Sequence, residues 1–473
     1  MKFSRFLLGS ERPNRIYGDP SVSDPSHAPS AATAKARLAR RGSVVSLVWA
    51  NYLPALSGFI TGPLVARSLG PGGRGQVAAV TVFGFGLPVV LSLGVPVAIG
   101  QRAATEPSMR PSLLAAAKRF TCLTIPIAIV AGAIVVSGPL SSIKGGAQVV
   151  ALVTLGASPL AILGTSLLQL LQAEGALGPL AKLWAVPPLV SAVLTIGLAL
   201  GGWLTVTTYL TATLISGLPT LIASWCLVRE PPSDPYPLRA LLSFGVRGFA
   251  GSVANMANAR LDQMIIVPFV GSAQLGLYAV SVSLASHPLG IAQSIAARSF
   301  GQIAHAADRA GEAARYLRLT VLIGVLACTA VAVSAPFGIP LLYGPSFRGS
   351  LVPLLLLLPG TVALAIISSS TATLLVLNRP GLSSLAELLG LVITVVGLIV
   401  VLGPLGILGA ALVSSLSYSC TLAVHIAALR RLGVKRLVPG RAEISWVIGR
   451  FAEVMRRRWR IHTNERCTKT SAG

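Results

Sequence analysis

LVARSLGPGGRGQVAA, residues 64–79, has a counterpart later in the chain, IIVPFVGSAQLGLYAV, residues 265–280. Three pairs of small residues keep the same separation of 201 positions: Gly70 and Gly271, Gly75 and Gly276, Ala78 and Ala279. Each copy ends one apolar run and begins another. A long repeat inside an apolar chain indicates a duplicated half, and membrane transporters are commonly built from two such halves.

The composition is that of an integral membrane protein. Hydrophobic residues make up 53% of the 473 residues and charged residues 11%, whereas soluble proteins carry about 25% charged residues. Apolar runs of about 20 residues are long enough to cross a bilayer. Because a backbone in lipid must satisfy its own hydrogen bonds, such runs predict helices. The predicted fold class is therefore all-α and membrane-spanning.

Twelve transmembrane helices are expected. The apolar spans cover roughly 43–66, 77–101, 119–141, 147–172, 180–201, 204–228, 242–268, 275–297, 316–341, 351–377, 382–403 and 406–429. Six spans precede a charged, proline-rich segment, REPPSDPYPLR at 229–241, and six follow it. The equal and even number in each half predicts two parallel six-helix repeats around a central cavity, with lobes at 43–228 and 242–430.

Basic residues decide the orientation of the spans. The loops after even-numbered spans contain Arg102, Arg110, Lys118, Arg119, Lys182, Arg229, Arg239, Arg298, Arg309, Arg315, Arg318 and Arg379. The loops after odd-numbered spans contain only Arg67, Arg74, Lys144 and Arg348. By the positive-inside rule, both termini and the 229–241 linker face the cytoplasm of a cell membrane.

The two tails are polar or basic. Residues 1–42 are rich in Ser, Pro and Ala and predict a disordered cytoplasmic tail. Residues 431–473 are strongly basic, and apolar residues at helical spacing predict an amphipathic helix over 442–460 on an anionic leaflet. A solvated basic tail that only enforces topology is the alternative.

Several function classes find no support in the sequence. The net charge of +24 lies mainly in tails and alternate loops, so it indicates membrane topology rather than nucleic-acid binding. The five cysteines form no CxxC pair, and no metal site or cofactor is expected. GPGGRGQ at 70–76 lacks the GK[ST] ending of a nucleotide-binding loop, and no catalytic arrangement nominates an enzyme.

The seventh span carries the polar residues that a transport site would need. At about 100° per residue, Arg247, Asn255, Asn258 and Asp262 share one quadrant of the helix, whereas Arg260 points nearly opposite. One interpretation is a wet cavity in which Arg247 contacts an anionic headgroup and the others bind polar groups. The alternative is structural, with asparagines joining helices, Asp262 paired with an arginine and Arg247 at the inner interface.

The first span is the counterpart of the seventh. Asn51 is the candidate there, either in the same cavity or in a hydrogen bond between helices. Glu387 lies about one turn inside the cytoplasmic end of its span, where an interfacial carboxylate is the simplest interpretation.

Four segments resemble Wzx-type polysaccharide flippases of the multidrug/oligosaccharidyl-lipid/polysaccharide exporter superfamily. They are ARSLGPGGRGQVAAV at 66–80, SFGVRGFAGSVANMANARLDQMIIVPFVGSAQLGLYAVS at 243–281, IPLLYGPSF at 339–347 and GPLGILGAALVSSLSY at 403–418. The resemblance implies two six-helix lobes around a V-shaped cavity and no enzyme activity. It also implies flipping of an undecaprenyl-diphosphate-linked oligosaccharide, with Arg247 and Arg260 as cavity arginines, alongside polysaccharide polymerase machinery.

Two other functions remain open from the sequence. A cation-coupled drug exporter on the same fold would need carboxylates deep in the first half, where the span cores contain no Asp or Glu. A membrane scaffold for a glycan synthesis complex would depend on the basic tails.

Overall fold

The computed structural model describes residues 31–377 and 379–434, together with Gly440 and Ser445. The helices of this part of the chain are α1 Ala31–Ser92, α2 Val95–Thr105, α3 Arg110–Ser137, α4 Gly146–Gly156, α5 Ser158–Ala173, α6 Leu177–Leu200, α7 Val206–Leu227, α8 Leu238–Val270, α9 Ser272–His305, α10 Arg309–Tyr343, α11 Leu351–Val376 and α12 Pro380–Arg431. Two short 3-10 helices, Pro107–Met109 and Pro345–Ser350, precede α3 and α11.

The chain is a multi-pass membrane protein. Within the described residues, eight helices are long and apolar enough to cross a membrane, or nine if α4 and α5, bent by 43°, form one span. Helix α8 is not among them, because the polar residues of the predicted seventh span lower its hydropathy.

Two long helices are each divided by a glycine. Helix α1 is kinked at Gly70, whose φ is 66° and ψ −178°, and α12 is kinked at Gly406, whose φ is 54° and ψ −133°. These backbone conformations favour glycine, because a Cβ atom would clash with the main chain. The sequence predicts separate spans on the two sides of each kink.

The helices pack as two groups that meet along α1. In the first half, residues 31–227, α1 packs on α6, α2 on α5, and α6 on α7. In the second half, residues 238–431, α11 packs on α9 and α12, and α8 packs on α12. Helix α1 contacts α9 and α2 contacts α8 across the halves, and the largest apolar core contains residues from both.

The start of α1 overlaps the predicted N-terminal tail, and the α7–α8 connection nearly coincides with the predicted linker. Helix α1 begins at Ala31, within the segment 1–42 that the sequence predicts to be a disordered tail. The connection between α7 and α8 falls inside the predicted linker 229–241, except for its first residue, Val228. The predicted amphipathic helix 442–460 lies outside the described residues except for Ser445.

Candidate functional site

The equivalent glycines of the two repeat copies meet where the halves join. A Cβ atom added to Gly75 would lie 1.6 Å from the carbonyl oxygen of Ser272, and one added to Gly276 would lie 1.9 Å from that of Pro71. The two main chains are therefore in direct contact, and only glycine fits at either position.

A second glycine contact joins the halves just beyond the C-terminal end of α1. The Gly75 contact lies at the opposite end of the part of α1 that follows the Gly70 kink. A Cβ atom added to Gly245 would lie 2.6 Å from the carbonyl oxygen of Leu93, and one added to Gly94 would lie 2.5 Å from that of Gly245. From Gly75 to the end of α1 at Ser92 the helix runs for 17 positions, about 26 Å. This length is close to the thickness of the hydrocarbon core of a bilayer.

A cavity of about 430 Å³ lies between the halves near the Gly75 contact. We call it the interlobe cavity, because α1 and α7 line it from the first half and α8, α9, α11 and α12 from the second. Its larger polar side chains are Arg74, Tyr209, Arg260, Asp262, Gln263 and Tyr418.

The interlobe cavity has an excess of cationic groups and unpaired donors. Among its described lining residues, Arg74 and Arg260 provide two guanidinium groups against the single carboxyl group of Asp262. Nε of Arg74 and Nε2 of Gln263 are buried without a hydrogen-bond partner. An unpaired buried donor costs about 1–3 kcal/mol. The guanidinium groups of Arg74 and Arg260, which are not fully buried, can donate to a phosphate or sugar oxygen in the cavity.

Asp262 is held in place by the second half. Tyr278 Oη donates to Asp262 Oδ2 at 2.5 Å, and Ser414 Oγ donates to the same oxygen at 3.3 Å. The backbone N–H of Gln263 donates to Asp262 Oδ1 at 2.7 Å. The carboxyl group is therefore fixed between α9 and α12 at the wall of the interlobe cavity.

Asn258 joins α8 to α12. Its Nδ2 donates to Glu387 Oε2 at 2.9 Å and to the Glu387 carbonyl oxygen at 3.1 Å. Tyr418 Oη donates to the Asn258 carbonyl oxygen at 2.9 Å. These bonds match the structural alternative for Asn258, and they place Glu387 in a contact between helices.

The predicted site residues thus fall into three groups. Arg260 and Asp262 both line the interlobe cavity, although the helical spacing places Arg260 nearly opposite the polar stripe. Asn258 lies in the α8–α12 contact. The side chains of Asn51, Arg247 and Asn255 lie outside the described residues.

Arg74 is a cavity residue that the span pattern does not single out. The pattern places it in an outer loop, but the helix resumes directly after Gly70, and Arg74 lies in the first turn that follows. The usable signal is the repeat itself, because the second copy also enters a helix, α9, immediately after its equivalent glycine, Gly271.

Comparison with known proteins identifies the family and the fold. The sequence profile of the polysaccharide biosynthesis protein family matches residues 64–352. No curated protein matches the chain by sequence.

Three of the similar solved structures are transporters or flippases. The lipid II flippase MurJ in an inward closed conformation matches with a TM-score of 0.67 and 12% identity, over 82% of this chain and 87% of that chain. An inward-facing multidrug resistance MATE family transporter of the MOP superfamily matches with a TM-score of 0.62 and 16% identity, over 82% and 97%. The MATE multidrug transporter DinF-BH matches with a TM-score of 0.59 and 10% identity, over 83% and 94%.

The resemblance seen in the sequence is therefore confirmed for the family and for the fold. The chain belongs to the polysaccharide biosynthesis protein family and has the helical fold that MurJ and the MATE transporters share.

Proposed function

We propose that this protein flips an undecaprenyl-diphosphate-linked oligosaccharide from the cytoplasmic to the outer leaflet of the cell membrane during cell-surface polysaccharide synthesis. The carrying observation is the interlobe cavity, where two guanidinium groups outnumber one carboxyl group and two buried donors are unpaired. Such a cavity suits a diphosphate joined to sugars, because arginine binds phosphate through paired donors and amide groups bind hydroxyls.

The proposed mechanism is alternating access of two six-helix lobes. The kinks at Gly70 and Gly406 divide α1 and α12 into two spans each, and α4 with α5 counts as one span. With α8 crossing as well, the chain has twelve spans, both termini are cytoplasmic, and the lobes are parallel repeats. The glycine contacts at the two ends of the interface would separate in turn as the lobes rock.

Each site residue has a proposed role along the path of the headgroup. Arg74 and Arg260 bind the diphosphate in the interlobe cavity, and Asp262 and Gln263 bind sugar hydroxyls there. Asn51 and Asn255 offer further hydrogen bonds, whereas Asn258 holds α8 against α12 through Glu387. Arg247, nearer the start of α8, would first receive the diphosphate. The basic tails would bind the anionic leaflet, beside polysaccharide polymerase machinery.

The direct test is headgroup flipping in proteoliposomes with an undecaprenyl-diphosphate-linked sugar and an outer-leaflet probe. Arg74→Ala, Arg260→Ala and Arg247→Ala should each slow flipping by about tenfold or more, as expected for a lost charge-assisted hydrogen bond. Arg348→Ala is the matched control, because this arginine is exposed in the short helix before α11, away from the cavity.

The outcomes separate the function from the site. Flipping that slows in the three arginine variants but not in Arg348→Ala supports both. Flipping that is unchanged by all three arginine substitutions keeps the function and removes the site. Folded protein that flips no glycolipid rejects the proposed function.

A cation-coupled small-molecule exporter is the second candidate. The span cores of the first half contain no Asp or Glu, so a coupling cation would have to use the second half, where Asp262 and Glu387 are each bonded to a neighbouring helix. This function predicts efflux of a cationic dye that depends on a proton or sodium gradient and fails in Asp262→Asn. A flippase predicts no dye efflux.

A further inference from the structure

A second cavity lies within the first half of the chain. It has a volume of about 480 Å³, is lined by α1, α4, α5, α6 and α7, and is open at the protein surface. We call it the N-half cavity. None of its described lining residues is charged, in contrast to the interlobe cavity.

The hydroxyl groups of the N-half cavity are already satisfied. Six hydroxyl side chains line it, and each donates to a backbone carbonyl oxygen at 2.6–3.1 Å: Thr81 to Val77, Thr154 to Val150, Ser158 to Leu155, Thr165 to Ala161, Thr213 to Tyr209 and Thr220 to Leu183. A hydroxyl group that has already donated its proton cannot donate to a phosphate oxygen, although its own oxygen can still accept. The surface that a ligand would meet is therefore uncharged and offers no free hydroxyl donor.

Large apolar side chains in this cavity lack full cover. Phe85 is 58% exposed, Leu160 46% and Leu218 43%. All three line the N-half cavity from different helices, α1, α5 and α7. An apolar ligand in the cavity would pack against these side chains through dispersion contacts and would leave no polar group of its own unpaired.

The two cavities adjoin across α1. Thr81 lines both, Val80 lines the N-half cavity, and Val82 lines the interlobe cavity. The same stretch of α1 therefore borders an uncharged compartment on one face and, on another, a compartment that contains Arg74 and Arg260. Side by side, the two match a ligand with an anionic head and an apolar chain.

We propose that the N-half cavity binds the polyprenyl segment next to the diphosphate of the lipid-linked substrate. This inference rests on the proposed function and deepens it, because it assigns the apolar part of the substrate to α1 and α4–α7. The polyprenyl chain would enter the N-half cavity while the diphosphate contacts the arginines of the interlobe cavity. An acyl chain of a bulk phospholipid is the competing occupant.

The test is photoaffinity labelling with a diazirine-bearing polyprenyl diphosphate that carries no sugar, on the purified full chain in phosphatidylglycerol nanodiscs. Labelled residues are mapped by mass spectrometry and should fall on α1 and α4–α7. Gly217→Leu places a side chain in the cavity, because Gly217 lines it and a Cβ atom there meets no atom within 4 Å. It should lower labelling by about tenfold, the effect of losing burial of about two methylene groups.

Gly197→Leu is the matched control, because Gly197 also has no atom within 4 Å of an added Cβ and does not line the cavity. The inference is supported if labelling falls in Gly217→Leu but not in Gly197→Leu, and if excess polyprenyl diphosphate prevents labelling. Labelling elsewhere, or equal labelling in both variants, overturns it. A diazirine-bearing phosphatidylglycerol that labels the cavity equally well also overturns it, since the cavity then holds bulk lipid. Flipping that persists in that case leaves the proposed function standing.

Discussion

Asp262 is the residue whose surroundings most constrain the site. Its side chain is 6% exposed and accepts hydrogen bonds from Tyr278 and Ser414 on two other helices. A carboxyl group in an apolar bundle is costly unless it is hydrogen-bonded. Tyr278 is itself completely buried, so water cannot readily replace its hydroxyl group.

Replacing Tyr278 with Phe should destabilise the protein by about 1–3 kcal/mol, because it removes the 2.5 Å donor and leaves the Asp262 carboxyl group under-satisfied. Thermal unfolding in detergent measures the effect. Ser414→Ala is the control and should cost less, since its bond is 3.3 Å long. Equal stability of Tyr278→Phe and the wild type would show that this hydrogen bond carries little weight.

The sequence singles out a residue where its side chain is unusual for its surroundings. Asp262 stands out because carboxyl groups are rare in membrane spans. Its partner Ser414 lies 152 positions away, and nothing local in the sequence indicates the contact. The same holds for Asn258 and Glu387, separated by 129 positions. Such pairings depend on how α8 packs against α12.

At the scale of elements, the connection between α7 and α8 is fastened to the first half. Arg110 forms ion pairs with Glu174, just after α5, and with Glu230 of the linker, at 3.5 Å for the latter. The backbone N–H of Tyr236 donates to the Ser112 carbonyl oxygen at 2.9 Å. The linker therefore moves with the first half, and any hinge lies near the start of α8.

Arg110→Ala should loosen this linker and speed its cleavage by trypsin after Arg229 by about fivefold, equivalent to about 1 kcal/mol of local stability. The rate of appearance of the two half-chain fragments is the measurement. Arg102→Ala provides the comparison, because Arg102 pairs with Glu106 at 2.6 Å on an exposed surface remote in sequence from the linker. Similar cleavage of both variants would mean that Arg110 does not hold the linker.

Element boundaries were largely predictable because composition changes sharply at them. Proline and charge mark the 229–241 linker, and the α7–α8 connection falls there. The kink at Gly70 lies in a predicted gap between spans, and the kink at Gly406 lies at the first residue of a predicted span; glycine permits the positive φ at both. The 31–42 segment shows the limit, because its polar composition predicts a tail while the structure begins α1 at Ala31.

At the scale of the whole molecule, the two glycine contacts keep both ends of the interface together. The Gly75–Gly276 contact joins α1 to α9, and the Gly94–Gly245 contact joins the start of α2 to α8. The equal offset of the repeat glycines predicts a duplication, and their direct contact is what two parallel repeats about a common axis would produce.

Gly75→Ala should separate one end of the interface and Gly245→Ala the other, because overpacking costs about 1–3 kcal/mol and favours the separated state. The measurement is labelling of Ser286→Cys, an exposed position of the interlobe cavity, by an impermeant maleimide in oriented vesicles of a cysteine-free background. Each glycine variant should raise labelling by about tenfold, and the two should act from opposite sides of the membrane.

Gly72→Ala and Gly178→Ala are controls, because an added Cβ meets no atom within 4 Å at either position. If Gly75→Ala and Gly245→Ala both increase labelling from the same side of the membrane, the two glycine contacts do not close opposite ends of the interface. Unchanged labelling in both would show that the glycine contacts do not limit access to the cavity.

The Gly75–Gly276 contact also has a consequence for how the protein can be driven. Its nearest atoms are carbonyl oxygens and amide nitrogens of Pro71, Gly75, Ser272 and Gly276, with no ionisable group among them. A contact made of main chain gains and loses no protons, and its short-range packing is little affected by dissolved ions. The strength of this contact should therefore be the same in acid and alkaline media and in dilute and concentrated buffers. Any energy that an ion gradient supplies must enter elsewhere in the protein and reach this contact only through movement of whole helices.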